Sequence, residues 1–368
     1  MRRTSGIFIT MMSVGVAMLL VSCGEKTKER TLNIYNWNDY IDEKSIPEFE
    51  TKTGIKVIYD NYDSNEVIEA KLLAGGSGYD LVVPTADFAE RFISAKLIQK
   101  IDKSKIPNLS NVDPSIYKKL EGYDPQNQYA VNYMWGTSGI GYNKTKIARA
   151  LPNAPYDSWK LVIDPKNAQK LSTCGIALLD DPKDIYTNVI IALGLDPYKE
   201  DLKQLEQAQA ALLKIRPFIK YFDSSRYLND LANGEICVVV GYNGDIIQAR
   251  DRAKESGFND EIVYSIPKEG AVLWMDTLVI PADSKNVAEA HEFLNYFLTP
   301  EVTARITNHT YYANSNINSK EFIEKEIIDD PAVYPEDAIK EKLVPSRVNS
   351  QEYSRKQTQL WTELKATK

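Results

Sequence analysis

Histidine is nearly absent from this 368-residue chain. There are two, His291 and His309, and no third ligand is spaced to join either. That excludes a histidine-built metal centre or catalytic triad and leaves both residues structural or exposed. No G-x-x-x-x-G-K-[ST] run occurs, and Gly75-Gly76-Ser77-Gly78 lacks the lysine of a phosphate cradle, so those glycines read as a helix-ending turn. Excess basic charge is missing too: the formal net charge is −7. A nucleic-acid face is thereby excluded and a cationic partner is favoured. Internal repeats and low-complexity segments are absent. Acids are plentiful, but no motif singles out a pair for glycoside hydrolysis, so nothing positive supports an enzyme, a metal or a cofactor.

Cysteine is also scarce, with three in all. Cys23 closes the most specific local signal: Arg2 and Arg3, an apolar segment from Ile7 to Leu20, then Leu20-Val21-Ser22-Cys23. The segment is short for a membrane-spanning helix, and the polar run from Gly24 to Arg30 reads as a flexible tether. An export signal of the lipoprotein type over residues 1–22 is the reading; an uncleaved anchor helix is the alternative. Its similarity to bacterial lipoprotein signals implies cleavage before Cys23 and a lipid on that residue. Residues 1–22 hold two arginines and no acid, so cleavage moves the formal charge from −7 to −9. Cys174 and Cys237 remain, and in an oxidising compartment an even remainder of two predicts one disulfide.

The length and the 43% hydrophobic content suit two core-forming lobes. The mature chain opens on a strand-helix-strand rhythm: a strand over Thr31–Tyr35, a helix from Ser45 to Lys52 ended by Gly54, and a strand over Ile55–Tyr59. A capping box of Asp63 with Glu66 predicts the next helix, which leads to a strand over Asp80–Pro84. Parallel strands with helical crossovers make the fold class α/β. The same grammar restarts with a strand over Gly175–Leu179, a helix over Leu202–Leu213, a strand over Ile236–Gly241 and a helix from about Gly244. Between them, the glycine-studded stretch Met134–Tyr142 reads as an extended crossover between domains. A strand over Ala271–Ala282 and helices over Asn286–Phe297 and Pro300–Asn308 follow.

At the strand ends, where open α/β sheets bind ligands, aromatics and acids recur together. Trp37-Asn38-Asp39-Tyr40 follows the first strand, Tyr242-Asn243-Gly244-Asp245 a later one, and Trp274-Met275-Asp276 lies in the last strand pair. With 22 Tyr and 5 Trp available, that pairing suits a polyamine, whose ammonium groups need carboxylates and whose methylenes need flat walls that attract cations. A sugar calls for more Asn and Gln, an anion for Arg or helix N-termini. Composition and spacing alone stop at a ligand-binding α/β protein.

The chain resembles the bacterial polyamine-binding receptors of ABC transporters for putrescine and spermidine through essentially its whole mature length. The resemblance runs through Ile34-Tyr35-Asn36-Trp37-Asn38-Asp39-Tyr40-Ile41, Tyr62-Asp63-Ser64-Asn65-Glu66-Val67, Asp80-Leu81-Val82-Val83-Pro84, the stretch Met134 to Asn143, Asn229-Asp230-Leu231-Ala232-Asn233-Gly234-Glu235 and Ser265-Ile266-Pro267-Lys268-Glu269-Gly270-Ala271. It implies a two-lobed periplasmic-binding-protein fold of type II with a ligand cleft between lobes, the first lobe spanning 31–136 plus about 270–325 and the second 137–269 plus about 326–368. Residue by residue it implies ligand contacts from Trp37, Asp39, Tyr40 and Thr85 on the first lobe. From the second lobe it implies Asp184, Ser224, Tyr242 and Asp245, with Trp274, Asp276 and Tyr312 completing the walls, and it places a disulfide where Cys174 and Cys237 stand. The expected function is capture of putrescine, spermidine or both, without chemistry, by a monomer held by its lipid at the cell envelope and delivering to a membrane permease. A polyamine sensor, a receptor for another solute on the same fold, and a hydrolase are the alternatives. Tyr242 stands where the putrescine-preferring pattern has Trp, Asp184 where it has Glu, and Trp274-Met275-Asp276 resembles the spermidine-preferring pattern, so the choice of polyamine stays open.

Overall fold

The computed structural model describes residues 29–258 and 260–367; the signal segment 1–22, Cys23 and most of the tether to residue 30 lie outside the described residues. Among the described residues eleven strands are hydrogen-bonded together: β1 (Thr31–Trp37), β2 (Lys56–Tyr62), β3 (Leu81–Val82), β4 (Ile98–Gln99), β5 (Ala130–Asn143), β6 (Ile176–Leu178), β7 (Tyr221–Phe222), β8 (Val238–Tyr242), β9 (Ile262–Ser265), β10 (Ala271–Pro281) and β11 (Leu343–Pro345), eight along the path β2-β1-β3-β10-β5-β8-β6-β7, with β4 and β11 branching from β10 and β9 from β5. β2, β1 and β3 are parallel on one side, β8, β6 and β7 are parallel on the other, and the antiparallel pair β5 and β10 joins the two groups. This is the mixed α/β arrangement read from the sequence.

β5 and β10 are buried along their whole lengths of 14 and 11 residues. Strands buried on both faces carry continuous rather than alternating hydrophobicity. β5 departs from that rule in its glycines, and packing explains one of them directly. A Cβ on Gly136 would lie 2.4 Å from the Trp274 ring and from Asn243 Oδ1, so the bare backbone is what lets the indole lie against the strand. The stretch expected to be an extended crossover is therefore a strand shared by both groups.

The helices expected over residues 45–52, 202–213, from about 244, 286–297 and 300–308 form at Ser45–Thr53, Leu202–Ile215, Asn243–Glu255, Val287–Phe297 and Pro300–Thr310. Gly54 closes the first in the left-handed region at φ 68°, where glycine meets no Cβ penalty. The expected capping box does not form. β2 stays paired through Tyr62, which pushes the helix start to Asn65, with Ser64 as cap and no side-chain capping bond. Asn65 turns its side-chain oxygen instead to the Thr85 N–H at 3.1 Å, tying this helix to the end of β3. The sequence also hid several helices, among them Ala86–Ser94, Pro182–Ala192, capped by Asp181, and the C-terminal Gln351–Ala366, which packs on Leu202–Ile215 and Pro182–Ala192.

Cys174 and Cys237 form the expected disulfide, joining the residues just before β6 and β8 across 63 residues of chain. Closing a loop of that length restrains the unfolded chain. Replacing both cysteines by serine is expected to lower the stability by about 2 to 4 kcal/mol, read as a shift of the urea midpoint. An unchanged midpoint would show that the bridge is incidental to this fold.

Candidate functional site

The site is organised where β10 leaves register with β5. Pairing runs from Val272 opposite Ser138 to Met275 opposite Trp135, breaks, and resumes with Thr277 opposite Asn132. Asp276 is the residue at the break. The extra residue is on β5, where Tyr133 and Met134 together stand opposite Asp276 alone, and the backbone groups that such a bulge frees need other partners. Asn132 supplies one, donating from Nδ2 to Asp276 O at 3.0 Å and to Met134 O at 3.2 Å. On the opposite edge, Thr277 donates to Pro84 O through its backbone N–H at 2.9 Å and its hydroxyl at 3.0 Å, and Thr85 bridges Asp276. The end of β3 is thus fastened to the break.

The Asp276 side chain is only 5% exposed. Its Oδ2 accepts from the Tyr40 hydroxyl at 2.7 Å, while Oδ1 is buried with no partner among the described residues. Burial is the main cause that pushes its carboxyl up to about 7, and the Tyr40 bond opposes that rise. Around it stand rings in edge-to-face contact. Tyr40 packs on Tyr312 at 5.5 Å, Tyr312 on Trp274 at 4.9 Å, and Trp274 on Tyr242 at 6.0 Å. Gly244 allows this closeness, because a Cβ there would lie 2.6 Å from the Tyr312 ring.

Two more acids lie near these walls, both close to Tyr242. Asp245, in the first turn of Asn243–Glu255, accepts from the hydroxyls of Tyr312 and Tyr227 at 2.6 Å each. Burial raises its carboxyl above the ordinary range against those two bonds. Asp184, in the first turn of Pro182–Ala192, accepts from the Ser138 hydroxyl of β5. Burial and then the charge of Asp181 push Asp184 up to about 7.

The expected site residues thus separate. Tyr40, Thr85, Tyr242, Asp245, Trp274, Asp276 and Tyr312 form one connected set through the contacts above, with Asp184 tied to β5 through Ser138. Trp37 borders the set: its ring packs on Tyr62 at 4.6 Å and its Nε1 donates to Val83 O at 2.8 Å. Asp39 is exposed at the turn after β1, in the left-handed region at φ 50°, close enough for its charge to raise Asp245. Ser224 spends its hydroxyl elsewhere, accepting from the Asp180 N–H at 3.1 Å and so bracing the turn before Pro182–Ala192. His291 is structural, accepting from the Asp102 N–H at Nε2, and His309 is exposed.

Sequence reasoning passed over Asp87 and Lys183. Lys183 Nζ lies 2.5 Å from Asp87 Oδ2, joining Pro182–Ala192 to the helix Ala86–Ser94. The available signals were small: an acid two residues after Thr85, and a lysine beside Asp184.

Both carboxyls that titrate near 7 are held above their unfolded value of 3.8. Between about pH 4 and 7 the folded chain therefore binds more protons than the unfolded chain, and stability falls as pH rises. Ligand-free protein is expected to lose stability, by about 1 to 4 kcal/mol in all, between pH 5 and pH 8 in urea titrations. Asp276→Asn should lose less over the same range. Stability that rises between those pH values would contradict the burial of these acids.

Residues 44–335 match the family of bacterial extracellular solute-binding proteins. The putrescine-binding periplasmic protein PotF of Escherichia coli (strain K12) is 46% identical over 358 residues, 96% of this chain and 97% of that protein. A spermidine/putrescine ABC transporter structure from Listeria monocytogenes superposes with a TM-score of 0.81 at 32% identity, covering 92% of this chain and all of that one. The TpPotD lipoprotein of Treponema pallidum superposes with a TM-score of 0.79 at 26% identity, over 91% of this chain and 99% of that one.

Proposed function

This chain belongs to the bacterial extracellular solute-binding proteins, and from that membership we propose that it captures a polyamine between two lobes and delivers it to the permease of an ABC transporter. The observation that carries the proposal is Asp276: a buried carboxylate with one unpartnered oxygen, set among Tyr40, Trp274 and Tyr312. An alkylammonium supplies what such a group lacks. Its N–H donors and charge pair the carboxylate, and its methylenes pack on the rings, which also attract the cation.

The lobes we infer divide the chain as 31–136 plus about 270–325 and 137–269 plus about 326–368. In support, β1 to β4 pair only among themselves and with β10, β6 to β8 pair beyond β5, and the C-terminal helix packs on the second group. Tyr312 then reaches from one lobe to Asp245 of the other, and Asp39 and Asp245 face each other across the cleft. The ligand's ammonium groups go to Asp276, to Asp39 with Asp245, and to Asp184; Thr85, Tyr242 and Trp37 wall the methylenes. Ser224 contributes by holding the Asp180 turn. We infer that the protein works as a monomer, outside the cytoplasm where the name of the Escherichia coli relative places that protein, and anchored by a lipid on Cys23.

Calorimetric titration of protein lacking residues 1–23, freed of ligand by unfolding and refolding, tests the class. Saturation by a polyamine and silence toward amino acids and sugars is expected; silence toward every polyamine would remove the function. Asp276→Ala should weaken binding by roughly 2 to 5 kcal/mol, about thirty-fold to several-thousand-fold. Unchanged affinity would take this residue out of the site. For the anchor, the full-length protein should leave the membrane fraction for the soluble one on Cys23→Ser, whereas retention would point to an uncleaved helix.

A further inference from the structure

Among the acids of the cleft stands one cation that belongs to the protein. Lys183, in the first turn of Pro182–Ala192, carries its ammonium to Asp87 on Ala86–Ser94 at 2.5 Å, across what we read as the lobe boundary. The Asp87 side chain is 4% exposed and that of Lys183 23%, so the pair is largely withdrawn from water and fixed in geometry. Its surroundings are those of a bound ligand amine. Asp181 and Asp184 add their fields to that of Asp87 and together outweigh burial, keeping the ammonium charged; in return Lys183 eases the ionisation of Asp184 and Asp276. The Phe88 ring lies 5.9 Å from Nζ, giving the primary amine an aromatic neighbour as well. Lys183 also lines a cavity of about 100 Å³ with Thr187, Tyr198 and Arg347.

We propose that Lys183 sets the length of the ligand: its ammonium occupies, against Asp87, the position that a third amine would take, and so confines the site to diamines. The assignment rests on the polyamine reading above. A triamine entering the cleft would have to bring its extra charge beside a fixed ammonium or displace Lys183 from a buried carboxylate, and either is unfavourable. With the lysine side chain removed, Asp87 becomes an unpaired acid next to vacated space, suited to a third ammonium.

The experiment is a calorimetric comparison of putrescine and spermidine in the wild type, Lys183→Ala and the double variant Lys183→Ala/Asp87→Asn. The wild type should prefer putrescine. Lys183→Ala should shift the ratio of the two affinities toward spermidine by about tenfold or more, and Asp87→Asn added to it should abolish the gain, since no acid is left to receive the third amine. If Lys183→Ala does not fold, Lys183→Gln keeps a hydrogen bond to Asp87 without the charge and should shift the ratio in the same direction. A wild type that binds spermidine at least as tightly as putrescine, or a ratio that does not move in the folded variant, overturns the proposal and leaves the polyamine reading standing. Binding of neither amine by the wild type removes both.

Discussion

A carboxylic acid is buried at the one place where the two long strands fall out of register, and much of the surrounding structure answers that constraint. Raising a carboxyl from 3.8 to about 7 corresponds to about 4 kcal/mol against its charged form. Such a cost is kept only where neighbours over-determine the position. Asn132 satisfies the backbone that the break releases, Pro84 anchors the next residue, and Tyr40 donates to one carboxylate oxygen. Tyr40 is itself fixed, because the Tyr133 hydroxyl donates to its carbonyl and the Tyr133 ring packs on Phe297 at 4.8 Å. The strand break, the tyrosine and the core of the first group of strands therefore form one mechanical unit that aims Asp276.

Aromatic residues provide more than walls. Tyr40, Tyr227 and Tyr312 each give a hydroxyl to a cleft acid, so the acids are held by neutral donors rather than by arginines. A neutral donor orients a carboxylate without cancelling its charge, which leaves the charge available to an incoming cation. Where the protein does use a cation of its own, Lys183 offsets the charge of Asp87 through Oδ2, while Oδ1 has no partner among the described residues. The contrast between acids held by tyrosines and the acid held by Lys183 underlies the proposed division between binding positions and a position that the protein fills itself.

How much of this could be read from the sequence follows from the range of each interaction. Local signals served well: the period of the helices, Gly54 in its left-handed turn, and the strand over Ala271–Ala282 took form, while the glycine-studded stretch from Met134 became part of β5. The capping box on Asp63 failed because strand pairing at Tyr62, a contact 25 residues away at Trp37, decided where the helix could begin. Aromatic and acidic residues next to strand ends were legible because the sheet itself carries them to one edge. Asp87 and Lys183 were not, since they lie 96 residues apart and acquire meaning only through the packing of two helices. The hydroxyl of Ser224 likewise looked available until the Asp180 turn supplied its partner.

The placement of the acids also bears on why capture and closure would be the same event. On the proposed reading, Asp276 rides on a strand common to both groups and would meet a cation however the lobes stand. Asp39 and Asp245 lie on opposite groups and would engage one ligand only when those groups approach. A cation thus makes part of its interaction in any arrangement and the rest only in the closed one, and that difference alone can shift the equilibrium. The bonds from Tyr312 to Asp245 and from Lys183 to Asp87 already span the boundary without a ligand. They lower the free energy that a ligand must add to hold the lobes together, so a small dication with few contacts can suffice where a larger solute would otherwise be needed.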